Sequence, residues 1–308
     1  MDARGVRLRI VRLDGAGEQN PEFVIDGGRW RIPSDGLEGF GGVEYSVSTA
    51  DYAQYDGAYL LGERVPARDR TVTAHAFFDR AAARREAERF FIPRRAYEVH
   101  CEYMGRARYF TGRQYALDLS TDNVHRRQVL TWTCLSLEPL WLSEDEKRFN
   151  LAGAQGKRGF AFCSFARRVG TGAGVAGESH IAGHVAGVIA KEIWMENDGC
   201  STAYPRFEVL AHGAVANPVL RVSDSTGAEV IYLALKVDLK AGDELSIDFS
   251  ARPTAIELNG ANASNLIRVG STLAAGIEVG RFRVEWSADS GDAALEILPS
   301  IRERYTAA

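Results

Sequence analysis

Few side chains in this 308-residue sequence stand at spacings that could do chemistry, and each has a plain structural role to set beside it. Gly172-Ala173-Gly174-Val175-Ala176-Gly177 matches GxGxxG letter for letter. That pattern cradles a pyrophosphate only where a buried strand precedes it and a helix N-terminus follows. Here Arg167 and Arg168 stand where the strand should end and the flanks are rich in glycine, so no nucleotide site is expected. Glu178, His180 and His184 could ligate a metal, because histidines four apart share a helix face. However, no HExxH is present and the local helix propensity is poor, so a polar loop is the expectation. Ser179 lies in GESHIAG, which is not the GxSxG of a nucleophile elbow.

The remaining candidates are weaker. Glu244, Asp248 and Glu257 fall on strand-like segments, and no two of them stand out as an acid and a base. Tyr45, Tyr52, Tyr55 and Tyr59 crowd one stretch, where they read equally as interface anchors or as small satellite cores. Cys101, Cys134, Cys163 and Cys200 stand far apart with no CxxC pair, which is neither zinc spacing nor a dense disulfide framework. Cys101 and Cys134 lie inside strand patterns and read as buried apolar residues. No catalytic, cofactor-binding or metal-binding residue is therefore assigned, and neither an enzyme nor a cofactor is expected.

Composition agrees. A 45% hydrophobic and 25% charged chain is an ordinary globular one. A net charge of −4 argues against a dedicated nucleic-acid binder, which would show a basic excess. Arginines concentrate between Arg64 and Arg113, where solvated faces and salt bridges are the plain reading and an acidic neighbour or passing DNA the sharper one. The opening MDARGVRLRIV lacks a signal-peptide hydrophobic region and no run approaches 18 apolar residues, so synthesis in the cytoplasm is expected.

The elements that would position any site are mostly strands. One helix is expected over Asp79–Phe91. Asp79 is a good N-cap, Ala81, Ala82 and Ala83 are strong helix formers, and Pro93 cannot continue the helix. Ala83, Ala87, Phe90 and Phe91 make one apolar stripe, with Arg84, Arg85, Glu88 and Arg89 mostly on the other side. Before it, Val6–Leu13, Val43–Val47 and Thr71–Phe77 read as strands, and Asp51–Gly57 as a loop. After it, Tyr97, Val99, Cys101 and Tyr103 alternate with polar residues, and Gly105-Arg106 supplies a tight turn into Ala107–Phe110. Val129–Leu137 is apolar or small on both faces and should be covered on both. Residues 143–150 form a charged connector, placing a boundary between domains 1–145 and 146–308, with a glycine-rich loop at 170–187.

Beyond the connector, Phe207–Ala211, Val219–Val222, Glu229–Leu235, Glu244–Phe249, Ile256–Leu258, Arg281–Trp286 and Ala294–Leu298 read as short strands. Turn sequences such as Asp224–Gly227, Lys240–Asp243 and Asn259-Gly260 separate them, as in a jelly-roll sandwich.

Taken in order, several of these segments resemble the siphovirus tail-component family, the distal tail proteins of long non-contractile phage tails. The carrying residues are Arg68–Arg70, Ala83-Arg84-Arg85, Phe90-Phe91 and Pro93, then Tyr97, Tyr103-Met104-Gly105-Arg106, Arg108-Tyr109, Gly112 and Leu137–Trp141. Asn197-Asp198-Gly199, Ala203–Phe207, Asn217-Pro218-Val219, Ser225-Thr226-Gly227, Ala241-Gly242-Asp243, Asn259-Gly260 and Arg302–Tyr305 follow in family order. The resemblance spans most of residues 60–308; the first 45 residues match loosely and 170–187 is longer than the family pattern.

The resemblance implies a mainly β fold: an N-terminal β-sandwich with one α-helix and a long hairpin, then a C-terminal galectin-like β-sandwich. It implies six copies in a ring at the phage tail tip. One face of that ring would meet the tail tube protein and the other the tail-associated hub protein, with receptor-binding proteins nearby. The tape measure protein and later DNA would pass through the hole, and no cofactor or catalysis is involved. A second reading is a carbohydrate-binding, lectin-like module. Of the C-terminal tryptophans, Trp194 and Trp286, the second alternates with Phe282 and Val284 and so reads as core.

Overall fold

The computed structural model describes residues 5–14, 20–53, 55–149, 192–251 and 253–308. The segment Gly170–Gly187, with Glu178, Ser179, His180, His184 and the GxGxxG match, lies outside them, as do Arg167, Arg168 and Cys163. The described chain is mainly β and falls into two compact units, 1–145 with 304–308, and 146–303.

The first unit contains β1 (Arg7–Leu13), β2 (Glu22–Ile25), β3 (Trp30–Arg31), β4 (Leu37–Glu38), β5 (Ser46–Asp51), β6 (Ala58–Arg64) and β7 (Arg68–Ala76). Helix α1 (Arg80–Phe90) follows, then β8 (Ala96–Tyr103), β9 (Arg106–Asp118), β10 (Thr121–Asp122), β11 (Arg127–Ser136) and β12 (Trp141–Ser143). All but β5 and β6 join one antiparallel sheet with the spine β2-β1-β8-β9-β11-β7-β3. Its two ends approach each other, since Phe23 on β2 and Trp30 on β3 have ring centroids 5.8 Å apart. Opposite walls of the nearly closed sheet thus share one core.

Helix α1 is specified locally, and it forms as its sequence dictates. The Asp79 carboxylate accepts from the Ala82 amide at 3.3 Å, satisfying an otherwise orphan donor of the first turn. Ala83, Ala87 and Phe90 are buried, as is Phe91 just beyond, while Arg84, Arg85, Glu88 and Arg89 face solvent. Phe90 and Phe91 pack against Phe23 and Tyr97, and Phe91 also against Trp132. Tyr97 fixes the helix exit, its hydroxyl accepting from the Ile92 amide at 2.8 Å and donating to the Ile92 carbonyl at 2.9 Å.

Two details differ from the sequence expectation. The β8–β9 turn is Met104-Gly105, with φ of 50° and 74°, so Arg106 already belongs to β9. A two-residue turn with both central φ positive suits the strand twist, and glycine supplies one of them without strain. The second face of β11 is half-exposed rather than covered: Leu130, Trp132 and Cys134 enter the core, while Val129, Thr131, Thr133 and Leu135 remain partly open. Helix α1 serves only one side of that strand.

The second unit contains β13 (Lys147–Arg148), β14 (Glu192–Asn197), β15 (Pro205–Ala211), β16 (Val215–Ala216), β17 (Val219–Ser223) and β18 (Glu229–Ala234). It continues with β19 (Asp238–Leu239), β20 (Glu244–Asp248), β21 (Ala255–Leu258), β22 (Ala261–Asn262), β23 (Gly280–Ser287) and β24 (Leu295–Ile301). A sheet ordered β13-β24-β15-β20-β21-β22 and another ordered β14-β23-β17-β18 contribute alternate residues to one core. Phe207, Val209, Leu245, Ile247 and Ile297 come from the first sheet, Val222, Ile231, Phe282, Val284 and Trp286 from the second, which makes a β-sandwich. Buried Asn197 explains the Asn197-Asp198-Gly199 motif. Its amide donates to the carbonyls of Ser201, Ile277 and Glu278 at 3.0–3.1 Å and accepts from the Gly199 amide at 3.1 Å.

The chain then returns to the first unit through β25 (Arg304–Tyr305), which pairs with β12, Trp141 opposite Tyr305. Arg304 pairs with Glu138, and Arg108 stacks 3.7 Å from the Tyr305 ring centre while donating to the Ala307 carbonyl at 2.5 Å.

Candidate assembly surface

Strands β5 and β6 form a hairpin that pairs with no other strand among the described residues. The expected strand at Val43–Val47 is displaced to Ser46–Asp51, and Ala58–Arg64 pairs with it. The register slips between Ser48 and Thr49, so Leu61 is the extra residue of a β-bulge, which sharpens the ribbon's twist. The Tyr52 amide closes the tip by donating to the Gly57 carbonyl at 3.2 Å. A two-stranded ribbon has no interior of its own and is marginal in water unless it packs on something.

This ribbon is nevertheless rich in apolar side chains. Tyr45, Val47, Tyr52, Tyr55, Tyr59, Leu60 and Leu61 are 45–77% exposed. Tyr52 and Tyr59 touch each other, with ring centroids 5.4 Å apart, and otherwise the four tyrosines form no satellite core. Of the two readings that the sequence left open, burial favours anchors awaiting an interface. Exposed aromatics clustered in this way mark contact surfaces.

The other candidates do not assemble into a reactive centre. Glu244 and Glu257 line a shallow recess of about 390 Å³ on the outer face of the second unit, beside Arg206, Glu208 and Ser246. Asp248 is not among the residues lining that recess; its carboxylate accepts from the Ser250 amide and hydroxyl at 2.7 and 2.6 Å. Among the described residues no group of three or more His, Cys, Asp or Glu side chains is placed to hold a metal ion. Cys101 and Cys134 are buried free thiols, and burial pushes both up to about 12. Trp286 is core, 4% exposed, whereas Trp194 is 43% exposed with the Arg281 guanidinium 5.4 Å from its ring.

One residue of note stands in the sequence simply as part of an arginine-rich strand and turn, Arg68–Arg70. Arg70 is 1% exposed, its guanidinium held against the Phe110 and Trp141 rings at 3.9 and 4.4 Å. Alternation along β7, with Val72, Ala74 and Ala76 inward, would have placed Arg70 inward as well.

No family model matches the chain, and no curated protein does either. Solved structures do. The SPP1 Dit protein, described as a paradigm of the hub adsorption apparatus in phages infecting Gram-positive bacteria, superimposes with a TM-score of 0.60 at 13% identity. That match covers 96% of this chain and 98% of that one. A chain of the phage P2 baseplate in its activated conformation with calcium gives 0.55 at 10% identity, covering 98% and 99%. The strontium form gives 0.53 at 9%, covering 99% and 100%. The described residues therefore have the fold of phage hub and baseplate proteins in both units.

Proposed function

We propose that this protein is the distal tail protein of a siphophage, a structural hub at the tail tip. The observation that carries the reading is a shared fold joined to an exposed aromatic hairpin: the chain has the architecture of phage hub proteins, with an apolar arm that no other described residues cover. Six copies close a ring through one repeated head-to-tail contact, the geometry in which an arm on one protomer meets a different surface on the next. One face of the ring docks on the tail tube protein, the other on the tail-associated hub protein with its receptor-binding proteins. The tape measure protein and then DNA pass through the hole. The protein is made in the host cytoplasm, resides in the virion, and carries out no catalysis. Negative-stain images of the purified protein test this: rings with a central hole are expected, and featureless single particles at every concentration would refute it.

A second reading retains one observation in its favour. Trp194 is an exposed tryptophan beside Arg281, on a strand that among the described residues is outermost in its sheet, an arrangement on which a sugar ring can stack. A glycan array probed with wild type and with Trp194→Ala decides it: binding lost in the folded variant establishes a lectin role.

A further inference from the structure

Unit 1 carries a second exposed apolar surface, and strand β7 separates it from the hairpin. The hairpin leaves the sheet at the Arg68 end of β7, where the Arg68 guanidinium is bonded to the carbonyls of Gly41 and Gly42. At the Ala76 end the chain continues into Phe77 and Phe78, 43% and 73% exposed. Phe78 directly precedes the helix cap, the position from which an apolar side chain usually folds back onto the first helical turn. Its exposure shows that it does not.

The turn between β10 and β11 lies alongside. Gln128 pairs with Ala76, and His75 contacts both Arg127 at 3.0 Å and the Phe77 ring at 6.3 Å. That turn presents Val124, 85% exposed. Nine residues of strand hold the two surfaces about 27 Å apart, so one molecule does not bring them together.

We propose that the hairpin arm of one copy seats on the Phe77, Phe78 and Val124 tip of the next copy. The pairing rests on the ring reading and names its acceptor surface. Two unlike patches at opposite ends of one strand are what a heterologous contact requires, because each copy must offer a donor and an acceptor. Charge is complementary as well. The hairpin holds Asp51, Asp56 and Glu63 against Arg64; at the tip Arg127 and His125 pair with Asp122, and Asp79 stands beside Arg80, which leaves Arg126 as the excess cation. Four exposed tyrosines and three aliphatic side chains offer on the order of 600 Å² of arm surface, close to the roughly 800 Å² per partner of a stable interface.

The test uses full-length chains, Asp56→Cys and Asn123→Cys, which leave the apolar side chains of arm and tip in place, mixed under mild oxidation and analysed by peptide mass spectrometry. Native mass is measured in parallel for wild type and Phe78→Ser. A disulfide-linked peptide joining the two substituted positions, formed only in the mixture, is expected. Phe78→Ser should lose the oligomer while keeping the wild-type circular dichroism spectrum. If wild type and Phe78→Ser both assemble and no such link forms, the pairing is wrong and the ring stands. If wild type stays monomeric at every concentration, both fail.

Discussion

The guanidinium carbon of Arg70 lies 3.9 Å from the centre of the Phe110 ring, inside the core of the first unit. Trp141 adds a second ring at 4.4 Å, and Nη2 donates to the Pro139 carbonyl at 2.5 Å, while Nε and Nη1 have no hydrogen-bond partner among the described residues. Among the described residues no carboxylate pairs with Arg70, and burial lowers its pKa to about 9. The rings' negative faces offset part of the desolvation cost of the cation. Arg70→Met keeps the bulk and removes the charge, so denaturant unfolding should show little loss or a gain in stability. Arg70→Ala leaves a cavity beside both rings and should cost about 2–5 kcal/mol.

Helix α1 is held to its sheet chiefly by one aromatic cluster. Phe90→Ala should destabilise the first unit by about 3–5 kcal/mol, because the side chain is buried against Phe23, Phe91 and Tyr97. Calorimetry that left the first unit's transition unmoved would contradict this packing.

The buried thiols should be chemically silent. Burial raises Cys101 and Cys134 to about 12, so almost no thiolate exists near neutral pH and access is blocked. Iodoacetamide at pH 8 should modify exposed Cys200 in the native protein, and Cys101 and Cys134 only after denaturant is added.

Acid should loosen the β10–β11 turn. The Asp122 carboxylate accepts from the His125 amide and ring and from Arg127, which holds its pKa well below the usual carboxylate range. A depressed folded-state pKa means that the contribution is present above the unfolded value, about 4, and is lost as pH falls toward the folded value. Asp122→Asn should therefore flatten the acid limb of the stability profile between about pH 4 and pH 2 and leave little change in its shape above pH 6.

Local patterns made much of this fold legible. Asp79, the Ala83–Phe91 stripe and Pro93 marked the helix, because caps and periodicity act within a few residues. Asn259-Gly260 marked its hairpin, and both residues adopt positive φ. Of the hairpin at 46–64 the sequence shows only a first strand, three residues early at Val43–Val47, and no strand at Ala58–Arg64, because neither face of the ribbon is buried and no alternation is written into it. Strand β14 was missed since Ile193, Trp194 and Met195 are apolar on both faces and adjoin glycine-rich sequence. The pairing of Trp141 with Tyr305 joins residues 164 positions apart and leaves no local trace. The candidate surface was half visible: the tyrosines were conspicuous, but exposure alone distinguished an anchor from a satellite core.

The most direct measurement is the native mass of the purified full-length protein across a concentration series. A dominant species at six times 33.8 kDa is the result that the account predicts. A monomer at every concentration would contradict the ring.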